Sequence, residues 1–323
     1  MNQISLSFLA NFNSAVPWGL WVSIYGWLVG ISCASYAIVM WANITNNTDL
    51  KKLTRLGVML AISTLMAGLL SILIDLGRME RFYKLFISPN FSSMMAWEVW
   101  LYNIYFVLLG AVTLFWLKKR VPRPMSQLSV VFAVSIIIVE SLLFAVPPGR
   151  AWHSPLFVAH FLTSSLVAGA GALILATAAL WNKNGLEGQL KALARIAIPL
   201  IAVNFIAEAA EMISHGVLVS IGGVLALLAA VLVAALLMSA KPPFIKLAGL
   251  IALVSTLAVK YGSLISAQAV MPYKRFEKAY IEPKLAFSYC PTLPEALVGA
   301  GLVVSAAVIL YILYKLFPLT REG

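Results

Sequence analysis

Charge is scarce in this sequence. Only 11% of its 323 residues are Asp, Glu, Lys or Arg, whereas 62% are hydrophobic. A soluble domain of this size carries roughly twice that charged fraction, which excludes an ordinary water-soluble fold. Histidine and cysteine are nearly absent, at three and two residues. Membrane b-type haems take axial ligands, commonly paired histidines on facing helices. Of the histidines only His160 falls plainly inside an apolar span, so no haem is expected. Cys33 and Cys290 lie far apart, and no C-x-x-C or C-x-x-C-H occurs, so the sequence offers no structural zinc, iron–sulfur or c-type haem motif. Cys33 reads as helix packing and Cys290 as a loop thiol without a role. No phosphate-binding glycine loop, nucleophile elbow or H-E-x-x-H is present. Any redox chemistry therefore depends on metal centres in another subunit. Met1–Val16 carries no Lys or Arg, lacks the positive region of a signal peptide, and reads as a retained, non-cytoplasmic tail.

What is abundant is apolar sequence in runs long enough to cross a bilayer, which takes about 20 residues. The expectation is an all-α, polytopic integral membrane protein with about nine spans, near 18–42, 54–75, 95–117, 127–146, 155–181, 193–214, 217–239, 243–268 and 295–317. The net charge of +11 is explained by topology signals and lipid contacts, with no nucleic-acid partner. One set of loops holds fourteen Lys and Arg (51, 52, 55, 118, 119, 120, 123, 183, 191, 195, 241, 246, 315 and 321), and the other holds eight (78, 81, 84, 150, 274, 275, 278 and 284). The positive-inside rule then puts the N-terminus outside and the C-terminus in the cytoplasm. The longer loops, Leu76–Met94, Pro147–Ser154 and Ala269–Pro294, all fall on the outer side, where functional or docking surfaces are expected.

That orientation makes the depth of each ionisable residue readable. Charge inside a bilayer is costly, so an intramembrane acid or histidine is a functional candidate. Asp75 ends the second span. Glu98 and Tyr102 open the third, Glu140 lies toward the outer end of the fourth, and His153 and His160 flank and enter the fifth. Glu208, Glu211 and His215 lie toward the outer end of the sixth. All belong to one outer layer. Glu208, Glu211 and His215 are spaced i, i+3 and i+4, which puts them on one helix face able to pass protons. The alternative is that Glu211 and His215 simply pair at a helix end. Glu140 has no basic residue within a turn, so it needs a partner from another helix or must hold its proton. His160 is a site residue or an interhelical hydrogen bond. Lys260 is a counter-ion or snorkels. Aromatics gather in the same layer, including Trp21 and Tyr25. Most suit the interfacial belt, and some could wall a flat ligand.

Several stretches carry a resemblance. The first span opens Pro17–Trp18–Gly19–Leu20–Trp21–Val22–Ser23–Ile24–Tyr25 and continues through Gly30 and Ser32. Asp75–Leu76–Gly77–Arg78 is followed by Ser88–Pro89–Asn90, Ser92–Ser93, Met95–Ala96–Trp97 and Tyr102. Trp152, Pro155, Phe161, Ser165 and Gly169 follow in order. Over roughly the first 175 residues this resembles the membrane subunits of the polysulfide reductase (NrfD/PsrC-like) family.

The resemblance implies two helical bundles, here 1–181 with the quinone site and outer docking loop, and 182–323. It implies a subunit without haem or iron–sulfur cluster that exchanges electrons between menaquinone or ubiquinone and a ferredoxin-like iron–sulfur subunit on the outer face. That partner would serve a catalytic subunit of molybdopterin, multihaem cytochrome or hydrogenase type. The location would be the cytoplasmic membrane of a prokaryote. The quinone is expected near Trp21, Tyr25, Asp75, Glu98, Tyr102 and His160, and docking through Arg78, Arg81 and Lys84. A proton route through Glu140, Glu208, Glu211 and His215 is read from the residues and not from the resemblance. Glu140 departs from the family's pattern. The main rival is a proton-coupled secondary transporter. Such proteins tend to place sites at the midplane with broken helices and repeats, whereas these acids lie off-centre. A structural anchor without quinone is a third reading.

Overall fold

The computed structural model describes residues 18–76, 79–117, 121–146, 154–180, 186–214, 221–269 and 289–317. Nine long helices make up nearly all of it: α1 (Leu20–Ile44), α2 (Thr54–Asp75), α3 (Met94–Leu117), α4 (Arg123–Ala145), α5 (Pro155–Leu180), α6 (Leu186–Ser214), α7 (Ile221–Met238), α8 (Pro242–Ala269) and α9 (Leu293–Leu316). Eight are long and apolar enough to cross a membrane. In α7 the apolar stretch, Val224–Met238, is shorter. Each predicted span falls on one helix. α6 begins seven residues before its apolar core, where Glu187 and Lys191 pair at 3.6 Å one turn apart. Pro199 sits inside α6, which runs through it unbroken.

Proline and polar caps set several starts. Pro122 precedes α4, with proline again in its first turn, where the missing N–H has no intrahelical partner to lose. At α9, Thr292 and Glu295 form a reciprocal capping box. The hydroxyls that the core does bury mostly bond carbonyls one turn back, as in Thr64 to Leu60 (2.8 Å), Ser165 to Phe161 (2.8 Å) and Thr256 to Ala252 (2.7 Å). This satisfies them without a second helix.

α1 is the axis of the molecule. It packs against α2, α4, α5, α8 and α9, and its apolar core is entirely buried. The approach of α5 is close enough that a Cβ on Gly169 would fall 2.7 Å from the Ser35 backbone nitrogen, so only glycine fits there. The later helices are more open. Val231, Leu232, Leu250, Val254, Val304 and Tyr311 are exposed, and in a bilayer these faces meet acyl chains.

Between α2 and α3, Met79–Arg81 forms a 3-10 turn and Lys84–Ile87 one short helical turn. Arg81, Tyr83, Lys84, Phe86, Ile87 and Phe91 are exposed on this segment. Arg78 lies outside the described residues, as do Pro147–His153, His215 and most of Ala269–Pro294.

Candidate functional site

Up-and-down threading brings the starts of α1, α3, α5 and α9 to the same end as the finishes of α2, α4, α6 and α8. Tyr25, Glu98, Glu140, His160, Glu208, Glu211 and Lys260 all lie within about one to three turns of that end, at 1.5 Å of rise per residue. All are buried. These described members of the expected layer thus lie toward one end of the bundle, and six helices contribute to them.

Its first element is a tyrosine–carboxylate cluster. Glu98 and Tyr102 stand one turn apart on α3, and the Tyr102 hydroxyl donates to Glu98 Oε1 at 2.9 Å. The Tyr25 hydroxyl, from α1, donates to the same oxygen and lies 2.6 Å from the Tyr102 hydroxyl. Among the described residues, Oε2 of Glu98 accepts no hydrogen bond.

Glu140 is fully buried on α4, and neither of its oxygens has a hydrogen-bond partner among the described residues. It lies within electrostatic range of both Glu98 and Lys260. A Cβ on Gly26 would sit 3.1 Å from its Oε1, so the small residue on α1 makes room for the carboxyl. Lys260 does not snorkel. It is 6% exposed, and its ammonium nitrogen stands 3.0 Å from the centroid of the Phe161 ring. That cation–π contact is worth about 0.5–2 kcal/mol, too little to replace the lost hydration of an ammonium, and Nζ has no hydrogen-bond partner among the described residues.

His160 pairs through Nδ1 with Glu211 of α6. His160 thus makes an interhelical bond to Glu211, while His215, the other candidate partner, lies outside the described residues. Its Nε2 is buried and has no partner among the described residues. Glu208, one turn before Glu211, is within electrostatic range of both. Next to it, Asn204 accepts from the Thr163 hydroxyl at 2.9 Å.

Two crevices open beside some of these groups. The first is lined by His160, Phe161, Lys260, Ser23, Ser164 and Phe144 among others, and has room for about one water molecule. The second is lined by Glu208, Asn204, Ser255 and Thr256, and shares Ser164 with the first.

Trp21 and Asp75, also expected at the site, make other contacts. Trp21 donates its indole N–H to the Glu295 carbonyl at 3.0 Å, and Asp75, half-buried at the end of α2, faces Glu295 electrostatically. Both belong to a second group, around the start of α1, that sequence reasoning missed. Gln268 accepts from the Trp18 N–H (3.0 Å) and donates to the Trp18 carbonyl (2.8 Å). The Tyr289 hydroxyl accepts from the Leu20 N–H at 2.9 Å and donates to Glu295. A Cβ on Gly19 would collide with the Tyr289 ring. The T-x-x-E pattern at Thr292–Glu295 was the one legible signal of this group. Among the described residues, no three His, Cys, Asp or Glu side chains are gathered to hold a metal ion.

Long apolar helices around a buried line of acids, tyrosines, lysine and histidine define a polytopic helical membrane protein with an ionisable interior. The chain belongs to the family described as Polysulphide reductase, NrfD, whose model matches residues 9–272, well past the stretch in which the motifs are legible. It is 23% identical over 385 aligned positions to a selenate reductase subunit of Mesobacillus selenatarsenatis, covering 99% of this chain and 89% of that one. It is 26% identical over 169 positions to the Hdr-like menaquinol oxidoreductase integral membrane subunit of Archaeoglobus fulgidus, covering 51% and 43%. With a polysulfide reductase component of Wolinella succinogenes it shares 27% over 198 positions, covering 54% and 62%. In fold it is similar to the structure of bd oxidase from Geobacillus thermodenitrificans, with a TM-score of 0.65 at 14% identity over 98% of this chain and 100% of that one. That likeness is one of fold alone.

Proposed function

We propose that the chain is the quinone-interacting membrane subunit of a respiratory oxidoreductase. It passes electrons between the quinone pool and an iron–sulfur subunit docked at the end where α1 begins, on the outer face of the cytoplasmic membrane. Family membership and the reductase and menaquinol oxidoreductase names of the relatives support this reading.

The observation that carries it is the Tyr25–Glu98–Tyr102 cluster. Quinol oxidation needs a proton acceptor within hydrogen-bond reach of a head-group hydroxyl. Glu98 offers Oε2 as an acceptor, while Tyr25 and Tyr102 hold the other oxygen and fix the carboxylate in place. Asp75 and His160 are assigned to the same site in residues 1–181, with the exposed Trp97 beside Glu98 on α3. Protons taken by Glu98 pass to Glu140 and on toward Glu211 and Glu208, with residues 182–323 supplying the far half of the route. Electrons leave to the partner's cluster, which supplies the one-electron chemistry. Arg81 and Lys84 provide the basic rim for docking, and the terminal catalytic subunit is of molybdopterin, multihaem cytochrome or hydrogenase type.

The test is purification of the native complex, followed by lipid extraction and metal analysis. Quinone together with an iron–sulfur subunit is the expected result. A lone chain carrying a bound solute and no quinone would sink the proposal in favour of a transporter.

A further inference from the structure

Resting on that proton route, we infer that Lys260 is its central link, carrying protons between Glu140 and the His160–Glu211 pair. The sequence leaves Glu140 without a neighbour on its own helix; in the structure Lys260 interacts electrostatically with Glu140 and lines one crevice with His160. Three buried groups from three helices carry atoms with no hydrogen-bond partner among the described residues: both Glu140 oxygens, Lys260 Nζ and His160 Nε2. Buried polar groups are nearly always satisfied, so each such exception calls for an explanation. Lys260 and His160 line the same crevice, which holds about one water molecule. A water bridging the two nitrogens would convert the gap into hydrogen-bonded steps.

The arrangement is poor as a structural ion pair. Glu140 and Lys260 attract one another across the interior, yet they form no salt bridge, and the ammonium rests on the Phe161 ring instead. A buried pair adds stability only with good geometry and further hydrogen bonds, and both are missing. As a relay the proton count balances. A proton on the Glu140 carboxyl passes to the neutral Lys260 amine, leaving carboxylate and ammonium. The ammonium then gives a proton to His160 Nε2 while the Nδ1 proton moves to the Glu211 carboxylate. The amine is restored, the imidazole has exchanged tautomers, and Glu211 holds one proton more. Glu140 is recharged from the Tyr25–Glu98–Tyr102 side. The titratable groups facing Lys260 are Glu140 from α4 and His160 from α5, with Glu208 and Glu211 of α6 behind the histidine. The residues of α1 in this crevice, Val22, Ser23 and Gly26, do not titrate, and α7 carries no ionisable residue.

The experiment uses the intact complex in proteoliposomes and measures both quinol-linked electron transfer and proton release, each across pH. Lys260→Met should lower both on the order of a hundredfold, in the range of a lost acid–base group. Lys260→Arg should remain near the Met variant, because a guanidinium keeps its charge but does not give up its proton. Lys260→Met also leaves Glu140 buried without its opposite charge, which puts assembly at risk. The Lys260→Met/Glu140→Gln double variant removes both charges and answers that case. Restored assembly there assigns any assembly defect of the single variant to the stranded charge, and loss of activity and proton release in an assembled Lys260→Arg complex supports the relay. Restored activity, or wild-type activity in Lys260→Arg, overturns it and leaves the pair structural. Absence of quinol-linked turnover in the wild-type complex is a different failure, and it removes the underlying reading instead.

Discussion

His160 and Glu211 are bonded side chain to side chain across α5 and α6, which commits Nδ1 of the ring and leaves Nε2 facing the interior without a partner among the described residues. Removing one member of such a pair strands the other in a low-dielectric setting, a loss of about 3–5 kcal/mol. His160→Ala and Glu211→Ala should therefore each lower the detergent melting temperature more than their double variant predicts by addition. The coupling energy should be about 1–3 kcal/mol, read from a double-mutant cycle on thermal unfolding. Additive effects would show that the pair contributes nothing jointly.

Glu140→Gln keeps size and hydrogen-bonding capacity while removing titration. The variant complex should assemble at wild-type yield and lose quinol-linked turnover by about 10²-fold or more. Turnover equal to wild type at every pH would make Glu140 structural polar glue and end the case for the route.

Tyr102→Phe deletes one of the two hydroxyls on Glu98 Oε1 and leaves the Tyr25 bond. A bond to a charged group contributes about 1.5–3 kcal/mol, so quinol-linked turnover should fall roughly tenfold or more with assembly intact. Unchanged kinetics would separate the cluster from the chemistry.

Reversing Arg81 and Lys84 to Glu should weaken the hold of the iron–sulfur subunit. Both are exposed, and rim charges act mainly on association rate and salt dependence. Co-purification should drop at moderate ionic strength and differ less from wild type at high salt, where screening removes the contrast. An unchanged salt profile would take this segment out of the interface.

Gly19→Ala places a methyl group against the Tyr289 ring. Overpacking of this kind costs about 1–3 kcal/mol, visible as a lower melting temperature. Gly19→Ala combined with Tyr289→Ala should recover part of that loss by vacating the space. If the single variant melts like wild type, the end of α1 is looser than this packing requires.

The helices were legible because a bilayer makes a simple demand: about 20 apolar residues in a row. The layer of ionisable groups was legible too, since alternating threading converts positions along the chain into depth. Glu98, Glu140, His160, Glu208 and Glu211 needed only that count. Interhelical register is a different matter. Nothing near Glu211 in the sequence names His160 as a partner, and nothing near Lys260 says whether it reaches inward to Phe161 or outward to the lipid interface. These choices are made by packing among α1, α5, α6 and α8, where small residues such as Gly26 and Gly169 decide how closely helices approach. Trp21 and Asp75 show the opposite failure. Both lie at the expected depth, but Trp21 bonds the Glu295 carbonyl and Asp75 faces Glu295 electrostatically, pairings that no spacing in the sequence announces.

The hold on the start of α1 by Gln268, Tyr289 and Glu295 bears on how the protein is made. Trp18 meets Gln268 at a separation of 250 positions, and Trp21 meets Glu295 at 274. At about 5–20 residues per second of synthesis, the first helix enters the membrane well before its capping partners leave the ribosome. Through that interval its serines and tyrosines face lipid or the insertion machinery instead of their final neighbours. Premature termination before α9 would leave the central helix inserted and uncapped, a ready substrate for membrane quality-control proteases.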